Sequence, residues 1–269
     1  MNDLWMIALF LVIGVVTGMS SSMLGFGGGF LVVPTLFWSF RLMGLPEAIN
    51  MPLAIGTSLS IMVVTVSNSS YRHYRKGSMH WPLCFRLMPG VVVGSLLAVE
   101  LMPYLGENML RYTFSFVLLC TLVYSFFKRS HRHIESSQKT LVPSWPLFLS
   151  FGCITGLLAT SLGIGGSILT VPFFRRLKLP MARASGMASV LAFPVAVVGA
   201  LGHVFARHHV PGFPAHAVGY VYVPALIGAA LGVLVGAPIG VRLVYRIPDG
   251  ILAKAYFMIV SAIFIAMIV

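Results

Sequence analysis

The sequence predicts an all-α integral membrane protein with about ten transmembrane segments, arranged as two inverted repeats of five segments each. Broken or re-entrant helices are expected at a glycine-rich motif in each repeat. Three observations lead to this fold class: the apolar composition, a motif that occurs twice, and the uneven distribution of lysine and arginine between alternate loops.

The composition indicates that the protein is surrounded by lipid and not by water. Apolar residues make up 58% of the chain and charged residues 9%, and the mean hydropathy is +0.94. An ordinary soluble domain carries about 25% charged residues. The apolar residues also form long blocks, and blocks approaching about 20 residues are typical of membrane-spanning helices.

The predicted segments divide the chain into a first repeat over residues 1–127, a basic cytoplasmic linker over 128–144 and a second repeat over 145–269. The ten segments lie near residues 4–18, 26–40, 48–68, 83–103, 109–127, 145–160, 164–177, 184–205, 217–238 and 250–269.

The strongest organisational feature is an internal repeat. The first half reads GMSSSMLGFGGGFLVVPTL from Gly18, and the second reads GLLATSLGIGGSILTVPFF from Gly156. Eight positions are identical without a gap, including a proline at Pro34 and Pro172. The likeness resumes where Gly90, Val91 and Gly94 match Gly232, Val233 and Gly236. We therefore interpret the halves as copies of one unit.

The charges predict the orientation of the copies. Fifteen of the 18 lysines and arginines fall at loops or segment ends on one side, and only Arg41, Arg111 and Arg207 fall on the other. The positive-inside rule makes the rich side cytoplasmic and both termini outward. The formal charge of +12 is thus a topology signal, and no nucleic-acid partner is expected. Because each copy holds an odd number of segments, the second copy enters the membrane inverted.

The repeated motif is the candidate substrate site. A helix that begins inside the membrane exposes amide donors and a partial positive charge of about +0.5, and glycine lets a ligand approach those amides. Paired Gly/Pro-interrupted segments are a pointer to the binding site of a transporter. The candidates at the two motifs are Ser20, Ser21, Ser22, Gly25, Gly27, Gly28, Gly29, Thr160, Ser161, Gly163, Gly165, Gly166 and Ser167. The alternative is that the glycines only allow close helix packing.

Further polar residues lie in the third and eighth segments. Thr57 and Ser58 in the third and Ser189 in the eighth could add hydroxyl ligands, or could bond back to their own helix carbonyls. His203 is a candidate for proton coupling, against the alternative of an interfacial, hydrogen-bonded histidine. Every carboxylate falls in a loop or near a segment end, which disfavours a cation substrate. The sequence contains no pattern for catalysis, and neither a metal site nor a cofactor is expected.

The duplicated pattern includes GFGGGFLVVPTL near the N-terminus, IGTSL in the third segment and GIGGSILTVP in the second half. With this pattern, the sequence resembles the sulfite exporter TauE/SafE family of membrane permeases over essentially the whole chain. The resemblance implies a secondary transporter in the bacterial inner membrane whose substrate is a small anion, a sulfur oxyanion or an organosulfonate such as sulfite. Ser167 stands where the first motif has Gly29, and Met187 and Ala188 stand where the first half has Thr57 and Ser58, so the site is not expected to be fully symmetric. The alternatives are an uncoupled channel-like anion permease and a membrane protein without a transport role.

Overall fold

The structure is a computed structural model that describes most of the chain. It covers residues 3–24, 28–75, 77, 79–128, 145–177, 179, 181–206, 213–244, 246–247 and 249–268. Gly25 and Gly27 of the first motif, and the predicted linker from residue 129 onward, lie outside the described residues.

The described residues form ten α-helices, as the sequence predicts. They are α1 (Asp3–Leu24), α2 (Gly29–Leu42), α3 (Glu47–Arg75), α4 (Trp81–Leu101), α5 (Glu107–Lys128), α6 (Trp145–Leu162), α7 (Ser167–Arg176), α8 (Met181–Phe205), α9 (Val223–Val244) and α10 (Asp249–Ile268). Helix is the expected state of these apolar segments, because an α-helix satisfies its backbone hydrogen bonds internally where no water can reach them.

Five of the described stretches are long and apolar enough to cross a membrane. They are Glu47–Arg75, Trp81–Tyr104, Trp145–Leu162, Arg183–Phe205 and Val223–Gly240. The most buried of them belongs to α3, where 78% of the apolar window is inside the protein, against 39% to 50% for the other four. Helix α3 is therefore the central helix of the bundle.

The helices pair between the halves in a regular way. Helix α1 packs along α9, and α6, its counterpart in the second half, packs along α4, the counterpart of α9. The two third helices, α3 and α8, pack against each other, α2 contacts α3 as α7 contacts α8, and α5 contacts α10. Each contact is therefore either matched by a contact between the corresponding helices or, for α3 with α8 and α5 with α10, made between two corresponding helices.

Small residues bring the paired helices close together. A Cβ on Gly18 of α1 would lie 2.8 Å from the Cα of Val233 in α9, and a Cβ on Gly156 of α6 would overlap the carbonyl oxygen of Val91 in α4. The repeated glycines of α4 and α9, namely Gly90, Gly94, Gly232 and Gly236, meet backbone atoms of the facing helix in the same way. Close packing, the alternative reading of the motif, thus accounts for its opening glycine in each half.

Four segment boundaries differ from the prediction by six or seven residues. Helix α3 runs to Arg75 and α9 runs to Val244, whereas the corresponding segments were expected to end near residues 68 and 238. Helix α1 continues to Leu24, whereas the first apolar segment was expected to end near residue 18, because the three serines that follow are accommodated in the helix. The ninth segment was expected from residue 217, but an antiparallel hairpin of β1 (Ala217–Val218) and β2 (Val221–Tyr222) comes first. The turn of the hairpin contains Gly219, which has a φ of +54°.

Candidate functional site

Both short helices of the bundle begin at the repeated motif. Gly28, with φ of +90°, is the N-cap of α2, and Gly166, with φ of +66°, immediately precedes α7. Other residues adopt this backbone region only with strain, so glycine is required at both positions. Helix α2 has 14 residues and α7 has 10, which gives lengths of about 21 and 15 Å. Neither length spans a hydrocarbon core of about 30 Å.

The two motifs contact each other. A Cβ on Gly29, the first residue of α2, would overlap the carbonyl oxygen of Gly163 in the second motif. The same carbonyl accepts a hydrogen bond of 3.1 Å from Ser58 Oγ of α3. Gly163 itself lies close to Val33 of α2 and Ile55 of α3. The structure therefore brings Gly29, Ser58 and Gly163, three of the predicted site residues, together.

The hydroxyls of the first motif lie in the last turns of α1. Ser21 and Ser22 are buried, and Ser20 is partly buried. A Cβ on Gly28 would lie 3.7 Å from Ser21 Oγ and 3.6 Å from Thr65 Oγ1 of α3. The Oγ of Ser22 is buried and has no hydrogen-bond partner in the part of the chain that the structure describes. A buried helix start and several hydroxyl groups thus share one region.

The second motif has a similar composition. Thr160 and Ser167 are buried, and their hydroxyl oxygens have no hydrogen-bond partner. Gly165 is buried and Ser161 is partly buried. A buried hydroxyl without a partner costs free energy, on the order of 1–3 kcal/mol, and such groups in a native structure call for an explanation.

Thr155 is a further candidate for the site that the sequence reasoning missed. It lies in α6, its side chain is 1% exposed, and its hydroxyl also has no partner. Its methyl group lies 3.0 Å from the position that a Cβ on Gly166 would take. The sequence did contain a signal for this residue, because Thr155 precedes Gly156 as Thr17 precedes Gly18. The internal repeat therefore begins one residue before the aligned motif.

Three other predicted residues have protein partners. The Oγ1 of Thr57 accepts a hydrogen bond of 2.9 Å from the amide of Tyr222. The Oγ of Ser189 donates to the carbonyl of Ser185 and lies 3.1 Å from Ser69 Oγ of α3. The Nδ1 of His203 lies 2.8 Å from the Gly199 carbonyl of its own helix. These contacts hold the hairpin and the α3–α8 pair together.

A cavity of about 280 Å³ lies apart from the two motifs. It is lined by Ser70, Tyr71, Tyr74, Met79, Trp81, Met88, Val190 and Phe193. This lining is mostly aromatic and apolar and includes none of the predicted site residues, so we place the candidate site at the motifs, where the buried hydroxyls and the helix starts coincide.

The chemistry available at the motifs is binding. The side chains closest to Gly28 and Gly166 are hydroxyl-bearing or apolar, and hydroxyl groups and helix amides can donate hydrogen bonds to a ligand. Across the described residues, no group of three or more His, Cys, Asp or Glu is placed to hold a metal ion.

Long apolar helices around a buried polar centre define a multi-pass membrane protein of the transporter class. The chain belongs to the sulfite exporter TauE/SafE family, whose model matches residues 10–267. The family resemblance stated from the sequence is thereby confirmed, and members of the family are named as transporters rather than enzymes.

Similar proteins occur in bacteria and archaea. A "Probable membrane transporter protein" of Haemophilus influenzae is 27% identical over 96% of this chain and 97% of its own length. A protein described in the same words from Methanocaldococcus jannaschii is 26% identical over 91% of this chain and 88% of its own. A third such protein, from Bacillus subtilis, is 23% identical over 86% of this chain and 87% of its own length. No solved structure shows significant similarity to the chain.

Proposed function

We propose that this protein is a secondary transporter that carries a small oxyanion across the cytoplasmic membrane by alternating access. The single observation that carries the proposal is the pair of helix starts at Gly28 and Gly166, each buried beside hydroxyl groups, some of which have no partner in the protein. A transporter must hold its substrate away from water and lipid, and these interior groups are available to do so.

An anion suits these groups better than a cation. The N-terminus of a helix carries a partial positive charge and unpaired amide donors. The nearby hydroxyls can also donate hydrogen bonds. Of the six acidic residues, none falls in the middle of a predicted segment, and it is such carboxylates that cation carriers commonly use.

An oxyanion suits them better than a halide. The donors near Gly166 belong to α6 and α7, and those near Gly28 belong to α1, α2 and α3, so a ligand meets them from several directions. A tetrahedral or pyramidal oxyanion presents several acceptor oxygens at once. The preference for sulfur comes from the family description, and it extends to sulfite, related sulfur oxyanions and organosulfonates.

The pairing of helices between the halves supports an inverted repeat and, with it, alternating access. The contacts of α1 with α9 and of α6 with α4 exchange when the halves are exchanged, which is the pattern expected of two copies related by a two-fold axis. Helices α2 and α7 are too short to cross, and this supports re-entrant helices whose starts lie at membrane depth. One half can then rock against the other around a fixed site.

Flux measurement in proteoliposomes tests the proposal. Vesicles containing the full-length protein should take up radiolabelled sulfite faster than protein-free vesicles, and unlabelled sulfite, sulfate or an organosulfonate should compete better than chloride. Preloading with unlabelled sulfite should accelerate uptake, since exchange is a property of a carrier and not of a channel. Flux without this acceleration would indicate the channel-like permease, and the absence of flux for every anion would overturn transport of anions.

A further inference from the structure

We infer that the second half of the protein supplies most of the anion-binding energy. In this inference, Thr155 of α6 and Ser167, the first residue of α7, donate hydrogen bonds to the anion. This inference rests on the proposed function and assigns the substrate contacts to one of the two motifs. It also predicts that one anion is bound per protein, because the equivalent groups of the first half are used differently.

The start of α7 combines a helix N-terminus with two independent buried hydroxyls. Thr155 and Ser167 are each 1% exposed, and neither hydroxyl has a hydrogen-bond partner among the described residues. The first turn of α7 is closed by the carbonyl of Gly166, which accepts from the amides of Leu169 at 3.1 Å and Thr170 at 3.0 Å. The amides that come earlier in the helix have no partner within it and point out of its N-terminal end.

Two hydroxyl-bearing residues of different helices lie at this end. Thr155 lies in α6, and its methyl group is 3.0 Å from the position of a Cβ on Gly166. Ser167 is the first residue of α7 itself. Because Gly166 has no side chain, α6 packs closely against the start of α7 and brings Thr155 beside it.

The equivalent residues of the first half are already satisfied or absent. Thr17, the counterpart of Thr155, donates a hydrogen bond of 3.2 Å to the carbonyl of Gly14. Gly29, the counterpart of Ser167, has no hydroxyl, and the carbonyl oxygen of Gly163 occupies the place of its missing side chain. A carbonyl oxygen carries partial negative charge, so it opposes an anion at the start of α2.

The threonine pair provides a matched test. Thr155→Val and Thr17→Val make the same isosteric change at equivalent positions of α6 and α1, and each is made in the full-length protein. Sulfite affinity is measured by calorimetry, and the melting temperature is measured with and without sulfite. We expect wild-type protein to bind with a stoichiometry of one.

The two variants should separate clearly. Thr155→Val should melt no lower than wild type without anion, because it removes a buried hydroxyl that has no partner, and it should weaken sulfite binding at least about tenfold, since a hydrogen bond to a charged group is lost. Thr17→Val should bind sulfite as wild type does. If Thr155→Val folds poorly, Ser167→Ala carries the same expectation for affinity.

Three outcomes would overturn the inference. Equal weakening by both threonine variants would assign the anion to both halves and leave the proposed function in place. Unchanged sulfite affinity in both Thr155→Val and Ser167→Ala would show that these hydroxyls serve the fold alone. No response of the wild-type protein to sulfite, sulfate, thiosulfate or sulfonates would instead remove the proposed function, and this inference with it.

Discussion

His203 of α8 packs directly on Gly56 of α3. A Cβ on Gly56 would lie 2.9 Å from both Cβ and Cδ2 of the histidine. The same arrangement recurs with the helices exchanged, because a Cβ on Gly186 of α8 would lie 3.1 Å from Cβ and Cγ of His73 in α3. The spacing from Gly56 to His73 equals that from Gly186 to His203. The two long helices therefore run antiparallel, and their reciprocal contacts support the inverted-repeat interpretation.

Gly56→Ala should destabilise the protein strongly. The added methyl group would meet His203 and would overlap the carbonyl oxygen of Tyr220, which is backbone and cannot rotate away. Overpacking of this kind costs on the order of 1–3 kcal/mol, and the melting temperature of the purified protein should fall accordingly.

Gly106→Ala is the control for that prediction. Nothing lies within 4 Å of a Cβ at Gly106, and its φ is not in the left-handed region. Its melting temperature should match wild type. If Gly56→Ala also matched wild type, the close approach of α3 to the histidine would not contribute to stability.

Thr57→Val should destabilise the protein through the hairpin. Thr57 Oγ1 is the acceptor for the buried amide of Tyr222 at 2.9 Å, and removal of an acceptor at a buried site costs on the order of 1–3 kcal/mol. Ser60→Ala is the matched change, because the Ser60 hydroxyl only bonds back to the Gly56 carbonyl of its own helix, and this should alter the melting temperature little. Equal melting temperatures of the two variants would argue against a structural role for the Thr57 hydroxyl.

The helix breaks were predictable from sequence because their cause is local. The glycines of each motif, together with the hydroxyl residues before them, predict an interruption, and α2 begins at Gly29 and α7 at Ser167 in the structure. The all-helical fold was predictable for a similar reason, since apolar segments of this length must satisfy their own backbone. The hairpin before α9 was not, because Ala217 to Tyr222 is as apolar as the helix that follows.

The partners of individual hydroxyls could not be predicted, because they depend on contacts between distant segments. Thr17 and Thr155 occupy equivalent positions in the repeat, but only Thr17 bonds to its own helix. The sequence left Ser58 as either a hydroxyl ligand or a group bonded back to its own helix, and it instead donates to the carbonyl of Gly163 across the two halves. Ser58 and Thr57 follow each other in sequence, yet they serve different contacts. Only the packed structure separates such roles.

Membrane topology is the next prediction. The charge distribution places both termini outside and the linker around Glu135 in the cytoplasm. A single cysteine at Glu135→Cys, in a protein whose three native cysteines are replaced, should be labelled by a membrane-impermeant maleimide only after the cells are opened. A cysteine at Asn2, expected outside, is the control that should react in intact cells. Labelling of position 135 in intact cells would reverse the assigned orientation.

Adjacent glycines of the first motif should have separable roles. Gly28 has φ of +90°, and a Cβ there would make only ordinary contacts, the nearest 3.4 Å from Thr65 Cγ2. Gly28→Ala should therefore cost only the backbone strain of about 1–2 kcal/mol. Gly29→Ala would overlap the Gly163 carbonyl and disturb the contact between the halves, so it should reduce the yield of monodisperse protein.

Leucine at Gly28 tests whether transport needs the region beside the start of α2 to stay free of a large side chain. Gly28→Leu should abolish sulfite flux in proteoliposomes while most of the protein remains folded, because its side chain would occupy the region between the start of α2 and the hydroxyls of Ser21 and Thr65. Gly166→Leu should do the same at α7, beside Thr155. Folding is followed by size-exclusion profile and melting temperature, with Gly29→Ala as the comparison that fails through packing. If Gly28→Leu and Gly29→Ala lost folded protein in equal proportion, close packing alone would account for the glycines of the first motif.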